Sequence, residues 1–139
     1  MTKEISRILI AEDDKPLLDL YDKKFTAKGF EVIRAEDGGQ AYDQAIAKIP
    51  DAIILDIMMP VMNGFEVLKK LKKNKDTQDI PVVILSNYGE MPNITEGLMG
   101  GAVEYLIKVE HTPEEVVDVV ADAMEEKNSL IGKAFKETA

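Results

Sequence analysis

Residues 52–60 read AIILDIMMP. The first four residues are a short apolar run, and the carboxylate of Asp56 follows it directly. Four apolar residues are too few for a helix, and the β-branched isoleucines favour a strand. The run has no polar alternation, which is typical of a strand buried on both faces of a parallel sheet. The segment therefore predicts a buried strand that carries Asp56 at its carboxyl end.

Four more runs of this kind lie on either side of that segment, at residues 7–11, 32–35, 82–85 and 103–107. Between the five runs, apolar residues recur with the 3.6-residue period of amphipathic helices. Strands that alternate with helices form a parallel sheet covered on both faces by right-handed crossovers. The sequence thus predicts an α/β fold with five parallel strands, and the pattern leaves their order open.

Local signals mark the ends of several predicted helices. Thr112-Pro113-Glu114-Glu115 offers an N-cap, a proline in the first turn and a capping-box glutamate. Asp14, just before Lys15-Pro16, is interpreted as another N-cap. A fourth helix over residues 93–100 contains Gly97, a weak helix former. Either this helix is simply marginal, or its mobility serves switching.

Composition limits the classes of function. The chain has 139 residues and a formal net charge of -9, which disfavours direct binding of nucleic acid or of a membrane surface. It has no cysteine and one histidine, so we expect any metal to be held by oxygen. The first apolar run is too short for a signal peptide or a membrane span, and we expect a cytoplasmic protein.

We predict one domain over residues 1–127. Residues 128–139 are expected to extend the last helix or to form a tail, because the apolar stripe continues after the domain, although Gly132 interrupts it. The residues of this continuing stripe are Leu130, Ile131, Ala134 and Phe135.

Ligands of open parallel sheets bind beyond the carboxyl ends of the strands. Glu12 and Asp13 follow the first strand and Asp56 follows the third, so we expect these carboxylates to converge. Crowded carboxylates either raise a pKa or bind a cation, and oxygen ligands select Mg2+ or a similar ion. Ser86 and Lys108 end the fourth and fifth strands and would form an anion cradle. The pattern favours Asp56 as a nucleophile toward phosphorus.

Five motifs together resemble the signature of response-regulator receiver domains, which act in two-component signalling. They cover about residues 6–127 and are Ala11-Glu12-Asp13-Asp14, Leu55-Asp56-Ile57-Met58-Met59-Pro60, Met62-Asn63-Gly64, Leu85-Ser86 and Tyr105-Leu106-Ile107-Lys108. The resemblance implies the flavodoxin-like (βα)5 fold, a three-layer sandwich with strand order 2-1-3-4-5. It also implies a signalling phosphoacceptor that catalyses only its own phosphotransfer and autodephosphorylation.

The resemblance further implies roles for single residues. Asp56 would accept the phosphoryl group from a sensor histidine kinase or a phosphotransfer protein. Mg2+ would be held by Glu12, Asp13, Asp56 and the backbone carbonyl of Met58. We also interpret the side chains of Met58, Met59 and Met62 as fillers of the core.

Lys108 and Ser86 would bind phosphoryl oxygens, and Tyr105 would follow as a coupled switch. The surface formed by the fourth helix, fifth strand and fifth helix would then change for a downstream protein partner. The resemblance also allows a homodimer through the last two helices.

Two residues depart from the usual receiver pattern. Val109 stands where most receivers have a proline after a cis peptide bond, and a cis bond here would cost about 3–4 kcal/mol. We therefore expect either a trans Lys108–Val109 bond with a rearranged loop or a strained cis bond. Asn87 stands where a small residue is usual, and it would either crowd the phosphoryl group or bind it. Bulky Met58 and Tyr88 predict slow autodephosphorylation.

Three other functions fit the sequence less well. A phosphatase of the haloacid dehalogenase type needs a second aspartate where Met58 stands. A flavin-binding protein needs a phosphate loop where the acidic residues follow the first strand. A receiver-like scaffold that binds partners without phosphorylation remains the second choice.

Overall fold

The computed structural model describes residues 5–138, with side chains described as far as Glu126. Strands and helices alternate along the chain. The strands are β1 Arg7–Ala11, β2 Glu31–Ala35, β3 Ala52–Leu55, β4 Val82–Ser86 and β5 Glu104–Ile107. The α-helices are α1 Lys15–Ala27, α2 Gly38–Lys48, α3 Gly64–Lys73, α4 Met91–Met99 and α5 Pro113–Thr138, with a 3-10 turn at Lys108–Glu110.

The five strands form one parallel sheet in the order β2-β1-β3-β4-β5. This confirms the predicted fold class and the strand order that the resemblance implied. Each predicted strand agrees with the structure to within one residue at either end. The fourth helix begins two residues earlier than predicted.

Two apolar layers cover the sheet. Helices α1 and α5 pack on one face, where Ile54 of the central strand points. Helices α2 and α3 pack on the other face, with Ile53 and Leu55. All four residues of β3 are buried, which explains its continuous apolar sequence.

Side-chain caps fix the helix ends that carry the site. Asp14 accepts the N–H of Leu17 at 3.3 Å, which confirms its predicted role as N-cap of α1. Thr112 Oγ1 accepts the N–H of Glu115 at 3.2 Å, and Glu115 accepts the N–H of Thr112 at 3.0 Å. The predicted capping box of α5 is therefore confirmed.

Helix α5 continues to Thr138. The predicted apolar stripe at Leu130, Ile131, Ala134 and Phe135 lies outside the described side chains, and the domain boundary at residue 127 stays a prediction. Within residues 5–138, no helix combines the length and the apolar character needed to cross a membrane.

Candidate functional site

The carboxyl ends of β1 and β3 bring two acidic residues side by side. Ala11 and Leu55 are partners in the register of these strands, so the next residues, Glu12 and Asp56, are neighbours. The Asp56 N–H donates to the Ala11 carbonyl at 3.1 Å, which continues the ladder past the strand end. Both carboxylates are buried, with exposures of 3% for Glu12 and 6% for Asp56.

Lys108, at the end of β5, bridges these two carboxylates. Its Nζ lies 2.5 Å from Glu12 Oε1 and 3.0 Å from Asp56 Oδ2. The lysine side chain is only 12% exposed. Charge-assisted hydrogen bonds are stronger at a buried site than at an exposed one. These two bonds therefore hold Lys108, Glu12 and Asp56 together.

Burial and neighbouring charges shift the pKa values of Glu12 and Lys108. The pKa of Glu12 is raised to about 7, first by burial and then by the hydrogen bond and charge of Asp56, which together outweigh the lowering effect of Lys108. Burial lowers the pKa of Lys108, but its hydrogen bond to Glu12 and the charge of Asp56 outweigh this, so its pKa is raised overall. Glu12 therefore changes charge near neutral pH, while Lys108 stays protonated.

Asp13 completes an acidic cluster at the mouth of the site. One carboxylate oxygen each of Glu12, Asp13 and Asp56 lies within 4.8 Å of the others, and Asp13 is exposed. Three converging hard oxygens, with no sulfur or imidazole among them, fit a small divalent cation such as Mg2+. Burial and the neighbouring charge of Asp56 both disfavour the ionised form of Glu12. A bound cation would offset this cost.

The loop after β3 is tightly built. Met62 donates its N–H to the Pro60 carbonyl at 2.8 Å around Val61, whose φ of 73° is strained for a β-branched residue. Asn63 caps α3 by accepting the N–H of Glu66 at 3.0 Å. A Cβ on Gly64 would lie 2.3 Å from the Asp56 carbonyl oxygen, so only glycine lets α3 begin this close to Asp56.

The methionines of this loop are only partly as predicted. Met59 is buried and Met62 packs against the core from its edge. Met58 is 56% exposed, so its interpretation as a core filler is wrong. Ile57, the residue before Met58, is the one that is buried in this turn. The role of the Met58 carbonyl as a metal ligand stays a prediction.

Side chains from β4 and β5 both bind the backbone of one residue, Tyr88, and the sequence did not predict these two contacts. The Ser86 hydroxyl, fully buried, accepts the N–H of Tyr88 at 3.1 Å. The Tyr105 hydroxyl donates to the carbonyl of Tyr88. The two predicted switch residues thus hold the backbone of Tyr88 from both sides. Contact of Ser86 with a phosphoryl group stays a prediction.

The loop after Lys108 decides between the two expected peptide geometries. No described peptide bond is cis, so the Lys108–Val109 bond is trans. The chain then turns into the short 3-10 helix Lys108–Glu110, with Val109 83% exposed. The rearranged loop is therefore confirmed, and it still delivers the lysine to both carboxylates. Asn87 is exposed, and its effect on a phosphoryl group stays open.

Comparison with known proteins decides the family. The family profile described as the response regulator receiver domain matches residues 8–121. The chain belongs to the response regulator receiver family. Receiver domains are signalling phosphoacceptors, and magnesium and phosphorylation are typical of the family.

Individual relatives agree with this assignment of the receiver. The response regulator PleD of Caulobacter vibrioides is 40% identical over 103 residues, which cover 74% of this chain and 23% of PleD. The phosphate regulon transcriptional regulatory protein PhoB of Escherichia coli is 38% identical over 111 residues, which cover 80% of this chain and 48% of PhoB. The chain thus spans less than half the length of these relatives.

Solved structures show the same fold. A CheY-like receiver domain protein from Methanospirillum hungatei has a TM-score of 0.84 and 25% identity, and the match covers 91% of this receiver and 98% of that chain. The receiver domain of the Francisella response regulator 1452 has a TM-score of 0.80 and 31% identity, covering 87% of this receiver and 98% of that chain.

Proposed function

We propose that this receiver accepts a phosphoryl group on Asp56 from a sensor histidine kinase or a histidine phosphotransfer protein. The observation that carries the proposal is the bridge of Lys108 between the buried carboxylates of Asp56 and Glu12. A buried aspartate that acts as a nucleophile must stay ionised, and it therefore needs a positively charged group such as the Lys108 ammonium beside it. We propose that the reaction takes place in the cytoplasm.

In the transfer step, a carboxylate oxygen of Asp56 forms a bond to phosphorus as the bond from phosphorus to the partner's histidine nitrogen breaks. The bonding electron pair leaves with the imidazole. Lys108 holds Asp56 in place before the step and offsets charge on the phosphoryl oxygens during it. No base is required, because the nucleophile is a carboxylate.

Glu12, Asp13, Asp56 and the backbone carbonyl of Met58 would hold Mg2+, which supplies positive charge against the phosphoryl oxygens. Glu12 must be ionised to serve as a ligand, and its pKa of about 7 places that ionisation near neutral pH. The same carboxylate binds Lys108, so the lysine and a bound cation would share Glu12.

Phosphorylation would change the two hydrogen bonds that hold the backbone of Tyr88. In this proposal the Ser86 hydroxyl turns toward a phosphoryl oxygen and gives up the N–H of Tyr88 that it now accepts. The Tyr105 hydroxyl, which donates to the carbonyl of the same residue, then loses a fixed partner. The resulting population shift would alter the α4–β5–α5 face for a downstream protein partner, or for a homodimer through the last two helices.

We propose that the receiver turns over no separate substrate and catalyses only its own phosphotransfer and autodephosphorylation. Met58 and Tyr88 both expose bulky side chains beside the site and carry no base to activate water. Slow autodephosphorylation therefore follows from the proposal.

The test is the intact mass of the chain after incubation with acetyl phosphate, with Mg2+ or with EDTA. We expect one phosphoryl adduct with Mg2+, none with EDTA, and none in Asp56→Asn. Asp43→Asn is the matched control, because Asp43 is an exposed aspartate of α2. Lack of any adduct in the native chain would favour the scaffold that binds partners without phosphorylation. An adduct that persists in Asp56→Asn would place the acceptor elsewhere.

A further inference from the structure

A groove crosses the amino-terminal end of the sheet, at the opposite end from the acidic site. It encloses about 800 Å³ between α5 and the starts of β4 and β5. Its walls include the apolar residues Ile80, Pro81, Val103, Val119 and Ala123. Val103 is about half exposed although it is β-branched and apolar. The groove is therefore suited to cover by another apolar surface.

The rim of the groove is acidic. It carries four exposed carboxylates, those of Asp79, Glu104, Asp122 and Glu126. Lys72 is the basic residue that lines the groove, and its ammonium group donates to the carbonyls of Gln78 and Ile80 at 2.9 and 3.0 Å. An occupant that is apolar on one side and basic at its edges would match this groove.

The last thirteen residues of the chain have that chemistry. Residues 127–139 contain three lysines and one glutamate, a formal charge of +2. The whole chain carries -9, so the residues before them carry -11. The groove row Val119 and Ala123 continues in the sequence at Leu130 and Ala134, with helical spacings of four, seven and four. This is an amphipathic basic segment on an acidic protein.

A continuous helix cannot return its own tail to its own groove. Helix α5 is unbroken from Pro113 to Thr138, and the groove residues 119–126 directly precede the tail. At 1.5 Å per residue, residues 119–126 and 127–134 each span about 12 Å. Two copies of α5 that run antiparallel about a point near Lys127 would lay each tail along the groove of the other.

We propose that a second copy of this chain occupies the groove, with the two α5 helices antiparallel and residues 127–139 of each lying in the groove of the other. The contact is isologous, as in most homodimers, because each copy offers the same groove and the same tail. Apolar burial supplies most of the affinity, and the lysines and carboxylates fix the direction of the helices. The proposal does not depend on phosphorylation of Asp56.

Charge-reversal variants test whether each tail lies in the groove of the other copy. Sedimentation velocity on the full chain measures the fraction of dimer. One variant is Asp122→Lys with Glu126→Lys, which makes the groove rim basic, and the other is Lys133→Glu with Lys136→Glu, which makes the tail acidic. We expect the native chain to dimerise and each variant alone to dimerise at least about tenfold more weakly. An equimolar mixture of the two variants should dimerise again, because each groove then meets a tail of opposite charge.

The matched control is Asp118→Lys with Glu125→Lys, which makes the same charge change at exposed positions of α5 outside the groove. Alone, this control should dimerise like the native chain, because its groove and its tail are unchanged, and it should bring the acidic-tail variant into dimers far less than the basic-groove variant does. A native chain that stays monomeric at high micromolar concentration would overturn the proposal. So would a native dimer that persists in both variants, or variants whose mixture stays monomeric. The last result would mean that the tail contacts a surface other than this groove.

Discussion

The two halves of the sheet are held in different ways. In the β1–β3 half, the N-termini of α1, α2 and α3 are capped by the side chains of Asp14, Asp37 and Asn63. In the β4–β5 half, α5 has the capping box of Thr112 and Glu115, but α4 begins after Glu90 without a side-chain cap. Strand β3 is buried throughout, whereas β5 has one buried residue in four.

This difference matches the division of labour that we propose. The proposed acceptor, Asp56, belongs to the firmly held half, while the proposed switch residues Ser86 and Tyr105 lie in β4 and β5, the two strands that flank α4. Proteins open locally where caps and buried contacts are few. A site that must keep its geometry and a surface that must change can therefore share one small domain.

The largest effect should come from adding a methyl group to matched glycines in the two halves. In Gly64→Ala the new Cβ would meet the backbone carbonyl of Asp56 at 2.3 Å, and backbone cannot move away cheaply. In Gly97→Ala it would meet the end of the Ile84 side chain at 2.6 Å, which can rotate. We expect a loss of about 2–3 kcal/mol for the first and under about 1 kcal/mol for the second.

Urea denaturation of both variants measures these free energies of unfolding. Gly29→Ala is a third comparison, because its φ of 95° is strained for alanine although no atom lies near the added Cβ. If Gly97→Ala costs as much as Gly64→Ala, then α4 is held as firmly as α3. In that case the contrast between the two halves is wrong.

Much of this contrast could be read from the sequence, but its reasons could not. Periodicity and local caps predicted the strands and the start of α5, because those signals lie within a few residues of each other. Gly97 was interpreted as a weakness of α4. In the structure it is buried and allows α4 to approach Ile84 and Tyr105. That role depends on a contact between distant segments, which local pattern does not encode.

The site shows the same limit. The rule that ligands bind at strand ends brought Glu12, Asp56 and Lys108 to one place from the sequence. The bond of Lys108 to Glu12 and the double hold on the Tyr88 backbone were not expected. Both depend on the path of loops whose residues have no periodic pattern, and Val109 in particular had left two loop geometries open.

The second-largest effect concerns the free-energy cost of ionising the buried carboxylate of Glu12, which lies in the firmly held half. Burial raises the pKa of Glu12 from 4.5 to about 7, so the folded state binds a proton that the unfolded state has already lost between those values. The stability that this proton gives is present at low pH and is lost as the pH rises through about 7. Glu12→Gln removes the loss, and we expect it to raise the free energy of unfolding by about 1–2 kcal/mol at pH 8.

Thermal or urea unfolding in EDTA at pH 5, 6, 7 and 8 measures this gain. It should shrink steadily as the pH falls, and only a small part should remain at pH 5, where Glu12 of the native chain is protonated and the pH approaches the unfolded value of 4.5. Asp13→Asn is the control, because Asp13 belongs to the same cluster but is exposed. A gain for Glu12→Gln that is equal at all four pH values would show that the cost is steric and not electrostatic.

The smallest effect should come from giving α4 the cap that it lacks. Aspartate is a preferred N-cap and keeps the charge of Glu90, so Glu90→Asp should stabilise α4 by about 0.5–1 kcal/mol. The loss of the exposed contact between Glu90 and Asn93, 3.0 Å long, offsets little of this. We expect α4 to open locally, so amide hydrogen exchange in Met91–Met99 should slow by roughly two- to fivefold while global stability hardly changes. Asn63→Ala removes the corresponding cap of α3 and should instead lower global stability by about 1 kcal/mol. If α4 amides of the native chain already exchange as slowly as those of α3, the two halves open together and the missing cap has no bearing on switching.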